Sequence, residues 1–401
     1  MTDPLGGSQI LPYLAELAGR GHSIDLISFE KPGIAEAQWA DVSARCASAG
    51  IAWHPMAYHK HPPILSTVRD IVAMKRKAGA LSAVKPYDIV HCRSYIAAVV
   101  GVAMKARFGT RFLFDMRGYW ADEKVEGGSW PLGNPLFRAV YRHFKRLETD
   151  FLQNADATVS LTRTARDELM ARSAGKRPLQ RVEVIPCCVD FDHFAELDDE
   201  QRGAARRLLG IEPDALVLGY LGSLGGNYML DEMLRFFAAV RDRRPGARFL
   251  FVTRNDPAEI RRAAAKLDIG AGELIIRSAQ REEVPGLIGI ADLGVAFKQP
   301  TFSAKACSPT KLGEMLALGI PMVVNAGVGD VEQVIADTGA GVMVDRFDRT
   351  ALDAAADAVL ALNLNPSDTR AGARRWFALE DGVAAYDAIY RSLNPAEAID
   401  A

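Results

Sequence analysis

Short apolar strand, glycine-bearing loop, helix: this order recurs in both halves of the 401-residue chain, and no other feature narrows its folds as much. In the second half Leu216 to Tyr220 reads as a strand, Gly222-Ser223-Leu224-Gly225-Gly226 as a loop and Leu230 to Val240 as a helix. Phe249 to Thr253, Leu274 to Ile276, Leu293 to Phe297 and Met322 to Val324 are further short apolar runs. The first half offers Ile24 to Phe29, Ile51 to Met56, Asp88 to His91, Arg111 to Asp115, Ala157 to Leu161 and Val182 to Ile185, with helical stretches between them. Such alternation builds mostly parallel sheets covered on both faces. The length suits two α/β domains better than one. Two Rossmann-like domains facing each other across a cleft are therefore expected, spanning 1–190 and 191–375, with a final helix in 376–401 around Leu379 to Leu393.

The chain opens on a loop. Asp3 to Gly7 reads as loop, Ser8 as a helix cap, and Ile10 to Leu17 as the apolar face of the helix it starts. A glycine-bearing loop of this sort normally follows a strand, and none precedes this one, so either the first strand is missing or something else fills its place. After Asp115 comes Met116 to Pro135, read as a long loop beyond the carboxyl end of a strand, where open α/β sheets bind ligands. It carries Arg117, Trp120, Asp122, Glu123 and Trp130; the alternative is that the two tryptophans only fill a surface hollow. Basic residues cluster on two helical stretches, Arg69 to Lys77 and Arg138 to Arg146. A solvated face is the ordinary meaning of such runs, and peripheral membrane contact is the other.

Lys305 to Asp330, KACSPTKLGEMLALGIPMVVNAGVGD, is the stretch richest in chemistry. Ser308-Pro309-Thr310 is expected to start a helix, Ser308 accepting from its first amides and Pro309 needing no amide proton. Lys311 and Glu314 then share one face of the first turn, and Gly319 and Pro321 end the helix. A helix start bearing a lysine attracts phosphate, and a carboxylate one turn on can accept from a sugar hydroxyl. An ordinary capped helix with a surface Lys–Glu pair is the competing explanation.

A formal charge of -2 argues against a dedicated nucleic-acid binder. Five cysteines without metal or disulfide spacing point to a reducing cytoplasm and to no metal. No apolar run approaches the roughly 18 residues that span a bilayer. Neither glycine loop carries the GxGxxG fingerprint, and there is no Walker A sequence.

Four fragments coincide in order: GGSQILPYLAELAGRGHSIDLIS, VIPCCVDFDHF, LGYLGSLGGNYMLDEML and SPTKLGEMLALGIPMVVNAGVGDVEQVI. With them the chain resembles the retaining glycosyltransferases of family 4, of GT-B fold, and within them the bacterial branch with an SPTKLGE-type motif. The resemblance implies a nucleotide-diphosphate sugar held by the C-terminal domain, an acceptor held by the N-terminal one, and a last helix crossing back to the N-terminal domain. Glu314 matches the glutamate that accepts from ribose hydroxyls. Gly6, Gly7 and Gly222 match loop glycines near the diphosphate. Four positions depart from the pattern, the first being Arg117 where a histidine often follows the equivalent strand of the first domain. Ala306 stands where the motif's first glutamate belongs, and Ser223 and Tyr228 stand where an arginine and a lysine hold the diphosphate. Lys311 is expected to supply one missing charge, and Arg117, Arg254 or Lys305 a second.

The expected activity is transfer of a sugar from a UDP- or GDP-linked donor to a glycan or lipid-linked acceptor, in bacterial surface polysaccharide synthesis, in the cytoplasm or at the inner face of its membrane. Lys311 and Arg117 would act on the leaving group. Ser308, Thr310 and the amides at Gly6-Gly7 and Gly225-Gly226 would hold the diphosphate, and Asp122 and Glu123 the acceptor. No cofactor is needed. Two other readings compete: a non-catalytic binding subunit, favoured by Ala306, Ser223 and Tyr228, and a nucleotide-sugar epimerase using His91 and Asp115 as proton carriers.

Overall fold

The computed structural model describes residues 1–62, 64–173, 179–225 and 227–394. The chain forms two compact units, one of residues 1–185 with 379–401, the other of 186–378. They divide a few residues away from the expected 190 and 375. The Leu379–Leu393 helix belongs to the first unit, where Asp387 accepts from the His22 ring at 2.7 Å.

Among the described residues the first unit holds six strands in two separate sheets. β1 (Asp25–Glu30) pairs in parallel with β2 (Ala52–Ala57). β3 (Ile89–Arg93), β4 (Arg111–Asp115), β5 (Ala157–Ser160) and β6 (Val182–Val184) form a parallel sheet in that order. Among the described residues no strand joins β1 to β3. The opening stretch differs from expectation. Pro4–Gln9 is itself a short helix, because the Asp3 carboxylate accepts from the Gly6 amide at 2.9 Å and Pro4 fits the first position. Part of the 116–135 stretch is also helical, at Trp120–Glu126.

The second unit holds one six-stranded parallel sheet: β7 (Val217–Leu221), β8 (Arg248–Val252), β9 (Leu274–Arg277), β10 (Leu293–Ala296), β11 (Met322–Asn325) and β12 (Gly341–Val344). Their order is β12-β11-β10-β7-β8-β9. Alternate residues of each strand feed opposite faces. Val217 and Leu221 join one apolar cluster with Leu250 and Val252; Leu218 and Tyr220 join another with Phe249 and Phe251. Burial on both faces explains why these strands read as unbroken apolar runs. The sheet grows in opposite directions from β7 and β10, so the crevice beyond their carboxyl ends is a topological switch point, where open α/β sheets bind ligands.

Candidate functional site

Two segments leave that switch point. Gly222 follows β7 with φ of 97°, a left-handed conformation that only glycine adopts cheaply. The segment after β10 carries Lys298 and leads to the Thr310–Ala317 helix. Lys311 in its first turn points back to the end of β7. Its Nζ donates to the Tyr220 hydroxyl at 2.6 Å, and that hydroxyl donates to the Ser223 carbonyl at 2.6 Å. The same Nζ lies 3.5 Å from the centre of the Tyr228 ring and 4.0 Å from that of Tyr220. A cation held against two aromatic rings is stabilised where water is scarce. Gly222 walls the other side: a Cβ there would sit 3.6 Å from Lys311 Nζ.

Burial drives the Lys311 amine well below the ordinary lysine range; Cys307 and Glu314 oppose this, and Lys298 adds to it. Burial likewise raises the Glu314 carboxyl to about 7, against the pull of Arg281 and Lys311. The Arg281 guanidinium stands 4.0 Å from Glu314, whose side chain is 13 % exposed. An amine biased toward neutral and a carboxyl biased toward protonation, one turn apart, form a site poised for an anionic ligand that would recharge the lysine. Tyr220, Lys298 and Arg281 were absent from the expected site. They reach it from other strands and loops, so only Tyr228, noted as a departure, carried any sequence signal.

The other expected residues are placed as follows. Thr310 opens the helix. Ser308 does not cap it: Pro309 occupies the cap position, no side chain caps the helix, and Ser308 Oγ accepts from the Cys187 amide at 3.1 Å. Ala306 is buried. Gly225 lies in the loop after β7, which the Asn255 side chain ties at the Leu224 amide, 2.9 Å; Gly226 lies outside the described residues. Arg254 turns to the Ala279 carbonyl and the Gln280 side chain.

In the first unit, Gly6 and Gly7 are not a free loop. Their amides donate to Asp3, and a Cβ on Gly6 would fall 2.2 Å from the Met1 carbonyl oxygen. Asp122 is buried and accepts from Tyr141 and Lys145, both at 2.8 Å, which corrects its expected role of holding an acceptor. Glu123 is exposed on the same short helix. Trp120 and Trp130 pack on each other and on Phe144, as in the surface-hollow alternative. Arg117, at φ of 57°, lies 3.9 Å from the fully buried Asp115. Burial would raise the Asp115 carboxyl, but Arg117, His91 and Arg93 outweigh it and hold it at about 2. A carboxylate so firmly ionised is a poor proton carrier near neutrality, which removes the main support for epimerase chemistry.

Two units built on parallel sheets, the second with Lys311 and Glu314 beside its switch point, make up the GT-B architecture. Residues 6–188 match the glycosyl transferase 4-like domain, and residues 201–376 match the glycosyl transferases group 1 model. Between them these matches span most of the chain, which therefore belongs to the glycosyltransferases of GT-B fold and family-4-like type. Its curated relatives include D-inositol 3-phosphate glycosyltransferases from Actinosynnema mirum, 24% identical over 60% of this chain and 59% of that protein, and from Kribbella flavida, 24% identical over 91% and 84%. The chain thus spans less than two thirds of the A. mirum protein. Similar solved structures include Anabaena HepE in complex with UDP and glucose (TM-score 0.68, 13% identity, 97% and 96% of the two chains) and WaaG, described as a glycosyltransferase involved in lipopolysaccharide biosynthesis (TM-score 0.62, 17% identity, 96% and 92%). At such identities they speak for the fold alone. No described helix is long and apolar enough to cross a membrane.

Proposed function

We propose that the chain is a retaining glycosyltransferase that takes its sugar from a UDP- or GDP-linked donor bound at the switch point of the second unit. The observation that carries this reading is Lys311, caged by Tyr220 and Tyr228 one turn from Glu314. Glu314 accepts from the ribose hydroxyls. The diphosphate lies toward Lys311 and the amides at the start of the Thr310–Ala317 helix, and its charge restores the proton on the amine. As the bond from the sugar to the outer phosphate breaks, negative charge gathers on that phosphate, where the amine recharged by the bound diphosphate stabilises the transition state more than the ground state. The acceptor oxygen bonds to the sugar on the departing face, and its proton passes to the phosphate. Arg117 is engaged with Asp115, so the leaving-group charge rests chiefly on Lys311.

The relatives named as D-inositol 3-phosphate glycosyltransferases and the HepE complexes with UDP and UDP-glucose support a nucleotide-sugar donor. A glycan or lipid-linked acceptor in surface polysaccharide synthesis, met in the cytoplasm or at the membrane's inner face, completes the proposal. Lys311→Ala is expected to lower turnover about 10²-fold or more, measured as release of nucleotide diphosphate, with the product anomer retained by NMR. Unchanged turnover would remove Lys311 from the mechanism. A second reading, a binding subunit without turnover, is favoured by Ala306, Ser223 and Tyr228; it predicts donor binding with neither transfer nor hydrolysis.

A further inference from the structure

The Tyr228 ring has a second cation beside it. Lys311 Nζ lies 3.5 Å from the ring centre, and Lys298 Nζ lies 5.1 Å from it. Among the described residues neither amine forms an ion pair; Glu314 stands toward Arg281 instead, 4.0 Å away. An aromatic face holds a cation without neutralising it, so charge and N–H donors stay available to a ligand. Two like charges sharing one ring repel each other until an anion joins them.

Lys298 is also the most firmly held of the cations near the switch point. Its amide donates to the Asn325 side-chain oxygen at 2.8 Å, and its carbonyl accepts from the Asn325 side-chain nitrogen at 2.9 Å. Asn325 is itself buried at the end of β11. On the other side residues 227–229 run antiparallel to it. The Met229 amide donates to the Phe297 carbonyl at 3.0 Å, and the Gln299 amide to the Asn227 carbonyl at 2.8 Å. A backbone pinned on both edges presents its side chain within narrow limits, as a recognition group requires.

The residues expected to supply a second charge are committed elsewhere. Arg254 turns to Gln280, and Lys305 rests over the Phe302 ring, 5.3 Å from its centre. Arg117 belongs to the first unit, beside Asp115.

We propose that Lys298 is the second cation of the donor site, joining Lys311 on the diphosphate with the Tyr228 ring as their common support. The assignment rests on the donor reading above. Tyr228 then replaces a lysine of the family pattern without loss of charge, because it steadies two lysines brought from other elements. A diphosphate carries enough charge for both amines, a monophosphate engages them less, and a nucleoside does not engage them.

The test is titration calorimetry with UDP, UMP and uridine, and with GDP, GMP and guanosine. The wild-type chain is compared with Lys298→Met, which keeps the aliphatic stem and removes the charge. Lys298→Gln is carried alongside, so that the packing of one substitute does not decide the result. Both variants are expected to bind the diphosphate of the preferred series about tenfold more weakly or worse, the monophosphate less so, and the nucleoside as the wild type does. The salt dependence of diphosphate binding should become shallower in both. Unchanged diphosphate affinity, or equal losses for diphosphate and nucleoside in both variants, overturns the assignment and leaves the donor site standing. If the wild-type chain binds neither UDP nor GDP, the donor reading itself falls and takes the assignment with it.

Discussion

Lys311 gains its chemistry from residues far along the chain. Its hydrogen-bond partner Tyr220 stands 91 positions away, and both ring contacts come from the segment around β7. Sequence spacing showed the Lys311–Glu314 pair and the helix that carries it, but not the cage, because side chains from separate strands meet only once the sheet forms. The same separation hid Arg281 and Lys298. Glu314 gives a prediction with a definite sign. Its folded carboxyl sits at about 7 against an ordinary 4.5, so the folded unit binds the proton more tightly; this contribution to stability is present below 4.5 and is lost as pH rises to about 7. Ribose recognition needs the ionised form, so affinity for UDP should fall as pH drops below about 7, by up to about tenfold per unit. In Glu314→Gln that slope should vanish. A wild-type affinity flat from pH 5 to 8 (about the range a His or Glu at this value spans) would exclude an ionised Glu314 from the contact.

At the scale of elements, the apolar strands were legible wherever both faces are buried, and β1 to β11 fall within a residue or two of expectation. β12 and the Pro4–Gln9 helix were not legible. Two adjacent glycines disguise that helix, although Asp3 followed by Pro4 is a sound helix start. Ser308 was misread because its hydroxyl turns to the Cys187 amide rather than to its own helix. The loop after β7 offers a matched pair of substitutions. Gly222→Ala forces a side chain into φ of 97°, and should cost about 1–3 kcal/mol in urea unfolding. A Cβ at Gly225 meets nothing within 4 Å, so Gly225→Ala should change stability by about 0.5 kcal/mol or less. Equal losses at the two positions would show that the backbone after β7 is not held as described.

At the scale of the molecule, the chain leaves the first unit at Ile185 and returns to it with the Leu379–Leu393 helix. The return was readable through the family resemblance alone; its anchor, the Tyr386 hydroxyl donating to Asp115 at 3.2 Å, was not. Tyr386→Phe takes a donor from a fully buried carboxylate and should destabilise the first unit by about 1–3 kcal/mol. The ionised Asp115 also stabilises that unit above about 3.8, an advantage lost as pH falls through about 2. Calorimetry should therefore show Tyr386→Phe lowering the transition of the first unit and a bound nucleotide raising that of the second. Both agents moving the same transition would contradict this division.

The central claim is a nucleotide-sugar site built on Lys311 and Glu314, and a thermal-shift screen of UDP- and GDP-sugars tests it most directly. At about 100 times its Kd a donor adds about 2.7 kcal/mol to the stability of the state that binds it. At least one donor should raise the melting temperature of the wild-type chain by several degrees, with the rise largely lost in Lys311→Ala and in Glu314→Ala. If no nucleotide sugar shifts the wild type, or if both variants shift as far as it does, the site is not where this account places it.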